Sequence, residues 1–417
     1  MGRPAAGQTG AVTTSDLGDL ELPPGARLIH IGPAKTGTTS VQAAMWAHRA
    51  DLRQQGVRYA GRGRHSASAT RSLIGRGSVF GEDGSPPPVR TWERLAREIR
   101  TADEPRVVLS SEFLSHAKDD TIRRIVDDID LARIHVAVTL RPVPRMLSSL
   151  WQQGVQVGGI VGFEDWLLER LGRDGAIPDH PLWRTQRHDR LIERWAGVVG
   201  RDRVTAIVVD QNDHAWVLRA FEALLGIRSG TLQLQVDYQN RSLMLDEAEA
   251  IRSLNQRLRD LGVSRGDHTY LVRHGGARAM KLRQPGASER RVATPMWAHE
   301  RACIVGEAAV AGIRASGVRV VGELDRLLVD PDAVDPLPPW DGRLPADAAV
   351  AMAIGTVTGT GLLQAAGYRG DAGTTREFDR DAVLAILSDR ELLKLLIRRQ
   401  LHRVRRTARS LGGSSRD

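Results

Sequence analysis

Four short apolar runs, separated by segments of helical period, set the architecture of this 417-residue chain. The runs are Leu28–Ile31, Val107–Leu109, Ile134–Leu140 and Val204–Val209. Between them, Trp92–Ile99, Ile122–Ile129, Val143–Val155 and Leu191–Val199 repeat apolar residues every three or four positions, the mark of an amphipathic helix. Strands that are apolar throughout need cover on both faces, and strands alternating with helices pair in parallel. The expectation is α/β: a three-layer α/β/α design around a central parallel sheet. Ligands of such a sheet bind outside the carboxyl ends of its strands.

One of those carboxyl ends carries a distinctive loop. Gly32-Pro33-Ala34-Lys35-Thr36-Gly37-Thr38-Thr39 follows Arg27–Ile31 and leads into the helical segment Ser40–Trp46. A strand, a glycine-bearing loop and a helix start form an anion cradle, in which backbone N–H groups converge and the helix N-terminus adds partial positive charge. The spacing of Gly32 and Gly37 is that of a nucleoside-triphosphate loop. That loop, however, needs a lysine directly after the second glycine and then a hydroxyl for Mg²⁺. Here the lysine lies inside the loop and two threonines follow Gly37. The chain has only four lysines, at 35, 118, 281 and 394, in an arginine-rich background, so a lysine at this place is informative.

A second polar constellation follows the third apolar run. Val138-Thr139-Leu140-Arg141-Pro142-Val143-Pro144-Arg145 reads as a strand ending in arginine and entering a helix, with the prolines in its first turn. On a 3.6-residue period Val143, Met146, Leu147 and Leu150 share one face; Arg145, Ser149 and Gln152 share the opposite one. A guanidinium at a strand end beside a polar stripe holding a hydroxyl suits a second phosphate.

The first motif resembles the 5′-phosphosulfate loop of sulfotransferases that use 3′-phosphoadenosine 5′-phosphosulfate (PAPS). Its Pro-x-Lys-x-Gly-Thr-Thr core matches Pro33, Lys35, Gly37, Thr38 and Thr39 without a gap. The same family places an arginine and a serine eight residues apart on the donor's 3′-phosphate, and Arg141 and Ser149 keep that spacing. One departure is the direct passage from Arg141 to Pro142, where many members insert an acid or amide; Arg145 is a second guanidinium for the same phosphate. Weaker echoes are Ser110-Ser111-Glu112-Phe113-Leu114 and Asn240-Arg241-Ser242-Leu243. The resemblance covers about residues 26–330 and is specific only at the two main motifs.

The resemblance implies a P-loop NTPase-like sulfotransferase fold and an enzyme moving a sulfuryl group from PAPS to a hydroxyl or amine. Carbohydrates, glycolipids and small metabolites are the acceptor classes in view, and no metal is required. Pro33, Lys35, Thr36, Gly37, Thr38 and Thr39 would hold the 5′-phosphate, Arg141 and Ser149 the 3′-phosphate. Lys35 would meet charge on the leaving oxygen. Glu112, directly after the second apolar run, is the expected general base, with His116 and His65 as competitors. His30, within a strand, and Trp151, on an apolar stripe, read as core residues. Trp151 and Gln152 are also placed to touch an acceptor. Two alternatives stay open: a phosphate-loop kinase using Asp210 for Mg²⁺, and an inactive relative that binds a nucleotide or glycan.

Composition narrows the partners. The formal charge of +9 suits a polyanionic donor, but aromatics are 4% of residues and no basic run is interleaved with them, so nucleic acid is not expected. Cys303 is the single cysteine, which excludes an internal disulfide and a cysteine zinc cluster. No long apolar run precedes the first strand, and a cytoplasmic protein without a signal peptide is expected. Residues 1–25 read as a flexible arm, 26–330 as the α/β domain and 331–417 as a helical, basic appendage. Gly61–Pro88 reads as a loop over the substrate side, Met244–Leu261 and Trp297–Ser316 as helices, and Gly317–Leu324 as the closing segment of the sheet. In the appendage, Ala348–Ala366 reads as a packed small-residue segment. The basic helix from Asp381 to about Arg409 suits docking on its own domain or contact with a membrane surface.

Overall fold

The structure is a computed structural model, and it describes residue 17 and residues 19–77, 85–235, 241–328 and 340–359. Its core is one six-stranded, wholly parallel sheet in the order β2-β3-β1-β4-β5-β6. The strands are β1 Arg27–His30, β2 Val57–Tyr59, β3 Arg106–Ser110, β4 Ile134–Leu140, β5 Val204–Val208 and β6 Arg319–Val321. Every residue of β1, β3, β4 and β5 is buried, as the continuous apolar runs require. Central β1 pairs with β3 on one side (Ile29 opposite Leu109) and with β4 on the other (Ile29 opposite Val136). The chain crosses from β3 to β4 over β1, so the carboxyl ends of these three strands flank the point where the winding direction reverses.

Helices cover both faces. The longer ones are α1 Thr38–Ala47, α2 Arg90–Thr101, α3 Asp119–Ile129, α4 Val143–Gln156, α5 His188–Val199, α6 Trp216–Leu225, α7 Leu245–Asp260, α8 Met296–Ser316 and α9 Ala346–Gly359. On one face Trp92, Ile99, Ile122, Ile125 and Trp195 of α2, α3 and α5 pack on Ile29, Val107 and Val136. On the other, Val41 and Met45 of α1 and Phe221 of α6 pack on Leu28, Val108 and Ala137. The expected three-layer α/β/α arrangement is what the chain adopts.

A third apolar cluster is built mostly from helices. It joins Met146, Leu147 and Trp151 of α4 to Ile251 of α7, Met280, Ala302 of α8 and Ala348 of α9. The first half of α8 belongs to this cluster through Ala298, Ala302 and Val305, while Val310 and Ile313 near its end lie under the sheet.

Two expectations need correction. The segment expected as a loop at 61–88 contains a helix, Ala67–Leu73, and residues 78–84 lie outside the described residues. Part of the expected N-terminal arm is packed: Leu20 and Leu22 are buried, and the Leu22 N–H donates to the Leu224 carbonyl at 2.9 Å. Strand β2 and helix α6 had no sequence signal. The basic helix expected at 381–409 lies outside the described residues.

The described part of the C-terminal region packs against the body. Helix α9 lies on the helical stretch Thr269–Leu282, which is π-helical over Thr269–Gly276 and α-helical over Ala277–Leu282. Glycines make this crossing. A Cβ on Gly275 would stand 2.6 Å from the Gly355 carbonyl oxygen, and one on Gly355 would stand 2.5 Å from the Ala279 Cβ. No side chain fits between the two backbones. Among the described residues no helix is long and apolar enough to cross a membrane.

Candidate active site at the strand ends

The loop after β1 is fixed from below by hydroxyl chemistry. The Thr36 hydroxyl donates to the Pro33 carbonyl at 2.8 Å and lies 2.9 Å from Thr139 Oγ1. With the Thr36 proton so used, Thr139 donates to Thr36 and accepts from His30 Nε2–H at 3.2 Å. His30 Nδ1 then accepts from the Ser110 hydroxyl at 2.8 Å. One relay therefore ties β3, β1, β4 and the loop together. Burial pushes His30 down to about 3, so the imidazole is neutral, as this relay needs. Gly32 passes directly over the relay, and a Cβ there would overlap Thr139 Oγ1. The Thr38 hydroxyl also turns inward, to the Gly32 carbonyl at 3.2 Å. Thr36 and Thr38 thus spend their hydroxyls on the loop itself. The Thr36 N–H also donates to the Pro33 carbonyl at 3.3 Å, so of the two only Thr38 can offer an anion its backbone N–H, and Thr39 is exposed.

The upper side of the loop has the features of an anion cradle. Lys35 holds a left-handed φ of 75°, rare outside glycine, and Gly37 begins α1 with φ 85°. No side chain caps α1, leaving its first N–H groups for an external acceptor. Arg141, at the carboxyl end of β4, donates from Nη1 to the Lys35 carbonyl at 3.3 Å. Its Nε is buried without a partner, an orphan that an oxyanion would satisfy. Arg145 is exposed on the first turn of α4, and among the described residues no hydrogen bond joins it to the loop. Ser149, further along α4, is half-buried, and among the described residues no hydrogen bond joins it to the loop.

Across from Lys35 stands Glu112, at the exit of β3. Burial raises its carboxyl above the ordinary range, while Lys35, Arg273 and Arg71 pull it back. Lys35 itself is lowered by burial and by Arg141 and Arg273, and raised by Glu112. The two groups feel each other's charge without forming an ion pair, which leaves both available to a ligand between them. The competing bases fare differently. Burial and nearby arginines drive His116 down to about 4, making it a poor proton acceptor. His65 is held by Gln42, whose Oε1 lies 2.6 Å from His65 Nδ1. Trp151 is buried and donates to the Val161 carbonyl at 2.9 Å, while Gln152 accepts from the Leu243 N–H at 2.8 Å; both build the helical cluster. Arg241 is taken up by Glu247.

Three cations of this site carried no motif. Arg71, on the unexpected helix Ala67–Leu73, lies over the Phe113 ring at 4.5 Å, beside Glu112. Thr70 next to it bonds the Ser111 hydroxyl at 3.0 Å, holding that helix against the exit of β3. Arg273 and Lys281 come from the π-helical stretch and its α-helical continuation. Burial, Lys35 and Arg273 together lower Lys281 to about 8. Lysine scarcity was the one available signal for Lys281; nothing local marked Arg71 or Arg273.

No protein-family model matches the chain, and no curated protein matches it. A solved structure, "Crystal Structure of Sulfotransferase from Alicyclobacillus acidocaldarius", is similar over 58% of this chain and 94% of its own, at 18% identity and a TM-score of 0.37. That superposition is too loose to bear on the site.

Proposed function

We propose that the chain transfers a sulfuryl group from PAPS to an acceptor hydroxyl. The observation that carries this reading is the Arg141–Lys35 contact. It joins the two sequence motifs into one site at adjacent strand ends, with an uncapped helix N-terminus on one side and an orphaned guanidinium nitrogen on the other. Two phosphate positions on one sheet edge suit a 3′,5′-bisphosphorylated nucleotide. The loop N–H groups and the start of α1 would take the 5′-phosphate, and Arg141 with Ser149 the 3′-phosphate.

In this reading the acceptor oxygen attacks sulfur in line as the bond from sulfur to the 5′-phosphate oxygen breaks. Lys35 meets the charge growing on that leaving oxygen. The acceptor proton passes to the Glu112 carboxylate, whose raised pKa makes it a better base than an ordinary glutamate. The kinase alternative has less support, because Asp210 is held by Arg326 and by the Asn212 N–H.

Calorimetric titration with adenosine 3′,5′-bisphosphate and with ATP–Mg²⁺ tests the donor. The bisphosphate should bind in preference, and Ser149→Ala should weaken that binding. Preference for ATP–Mg²⁺ would overturn the reading. Bisphosphate binding without transfer to any member of a broad acceptor panel would point to an inactive relative.

A further inference from the structure

Several buried guanidinium groups of this chain are matched with acids: Arg283 bonds Glu247 and Glu289, Arg241 bonds Glu247, and Arg187 bonds Asp189. Others, such as Arg27, are held by backbone carbonyls. The cations around Glu112 belong to neither pattern in full. Among the described residues, Lys35, Arg71, Arg141, Arg273 and Lys281 form no ion pair with any carboxylate, and Glu112 is the acid whose charge Lys35, Arg71 and Arg273 share. Keeping cations unpaired and half-buried costs stability unless a ligand supplies the counter-charge.

The cations fall into two groups. Lys35 and Arg141 belong to the loop and the end of β4, with Arg145 close to Arg141. Arg71 is stacked on the ring of Phe113, the residue after Glu112. It shares its surroundings with Arg273, which also acts on Lys35, and with exposed Arg76 and Arg265. Positive charge therefore continues away from the donor cradle, past the proposed base and out to solvent. Its buried end has an orphan as well: Arg71 Nε is buried without a hydrogen-bond partner, while Nη1 donates to the Gly77 carbonyl at 3.3 Å.

We propose that this second group makes the enzyme specific for an anionic acceptor: a hydroxyl compound whose carboxylate, phosphate or sulfate ester is gripped by Arg71 and Arg273 while the hydroxyl faces Glu112. The proposal rests on the sulfuryl-transfer reading of the site. Arg71 and Arg273 are specificity residues in it, and Arg76 and Arg265 guide the charged acceptor inward. Two guanidinium groups suit planar or tetrahedral oxyanions through paired N–H donors.

The test is calorimetry on protein saturated with adenosine 3′,5′-bisphosphate, using matched pairs. Tetragalacturonate against maltotetraose probes a carboxylate source, and glucose 6-phosphate against glucose probes a phosphate source. The anionic member of at least one pair should bind about ten-fold or more tightly than its neutral partner, by the usual gain of a charge-assisted contact. Arg71→Gln combined with Arg273→Gln should remove that advantage and leave bisphosphate affinity within about two-fold. Equal binding of neutral and anionic members, or no binding of any anionic one, overturns the proposal. So does a double variant that loses bisphosphate affinity instead, which would return these arginines to the donor. The wild-type comparison does not depend on the variant folding. Failure of bisphosphate to bind wild-type protein would sink the donor reading alone, since the anion preference is then read on nucleotide-free protein.

Discussion

The two sides of Glu112 are built on opposite plans. On the donor side, a single eight-residue loop is pinned by the His30–Thr139–Thr36 relay, with each hydroxyl assigned and each bond short in sequence or carried by adjacent strands. Arg71, Arg273 and Lys281 instead arrive from segments separated by about two hundred residues; a crossing of glycine backbones supports the stretch with Arg273 and Lys281, and the Thr70–Ser111 bond supports the helix with Arg71. A local cradle fixes the position of one phosphate by covalent continuity. A cationic wall assembled from distant parts is placed only as well as its packing allows, and so is the more easily altered by change far from the chemistry.

Substitutions can break that contrast or sharpen it. Lys35→Ala should reduce turnover by about 10²–10³-fold, the usual cost of one donor to a developing oxyanion, while bisphosphate affinity falls much less. A larger loss in affinity than in turnover, seen by calorimetry beside labelled-sulfate transfer, would mean that Lys35 binds the ground state. Gly32→Ala should weaken bisphosphate binding by roughly ten-fold or more, because overpacking against Thr139 costs about 1–3 kcal/mol. An unchanged dissociation constant would show that the relay does not set the loop. Gly355→Leu should lower stability by about 1–3 kcal/mol in denaturant titration and disturb the Arg273 side while sparing nucleotide affinity. If nucleotide binding suffers equally, the two sides are one unit.

The pH responses are smaller and separate the same two ideas. Glu112 must be ionised to take a proton, so turnover should fall as pH drops through an inflection above the ordinary glutamate range. Glu112→Gln should abolish that inflection along with most activity; survival of the inflection would transfer the base to another group. Stability has its own profile. Burial depresses His30 to about 3 and His135 and His188 to about 4, so the unfolded chain takes up protons near 6.5 that the folded chain refuses. Their contribution is complete above that pH and is lost as pH falls through it toward 4. A denaturation midpoint no lower at pH 5 than at pH 7.5 would contradict this.

Sequence made the sheet legible where burial is two-sided: Ile134–Leu140 reads as apolar but for His135 and Thr139, and β4 has those bounds. Strand β2 escaped because Val57-Arg58-Tyr59 is too short to show a period. Helix α6 escaped for another reason: Trp216, Val217, Leu218, Ala220, Phe221, Leu224 and Leu225 are all buried, and only Arg219 and Glu222 stand as polar positions within a largely apolar run. The helix bearing Arg71 was hidden in a Ser-, Ala- and Arg-rich stretch with turn-like composition. In the site, the loop, Arg141 and Glu112 were legible because each adjoins a strand end in sequence. Arg273 sits in a π-helical turn, and a periodicity argument built on 3.6 residues does not reach it.

The long helix α8 has a mechanical consequence. At 21 residues it runs about 30 Å, with its first half in the helical cluster and its end under the sheet, where Gly312 lies against Asp189. It acts as a splint. The helical cluster cannot swing from the sheet as a hinged jaw without snapping this rod, so if the proposed reaction takes place, entry and exit would fall to short surface segments, and heat should melt the cluster and the sheet in a single step.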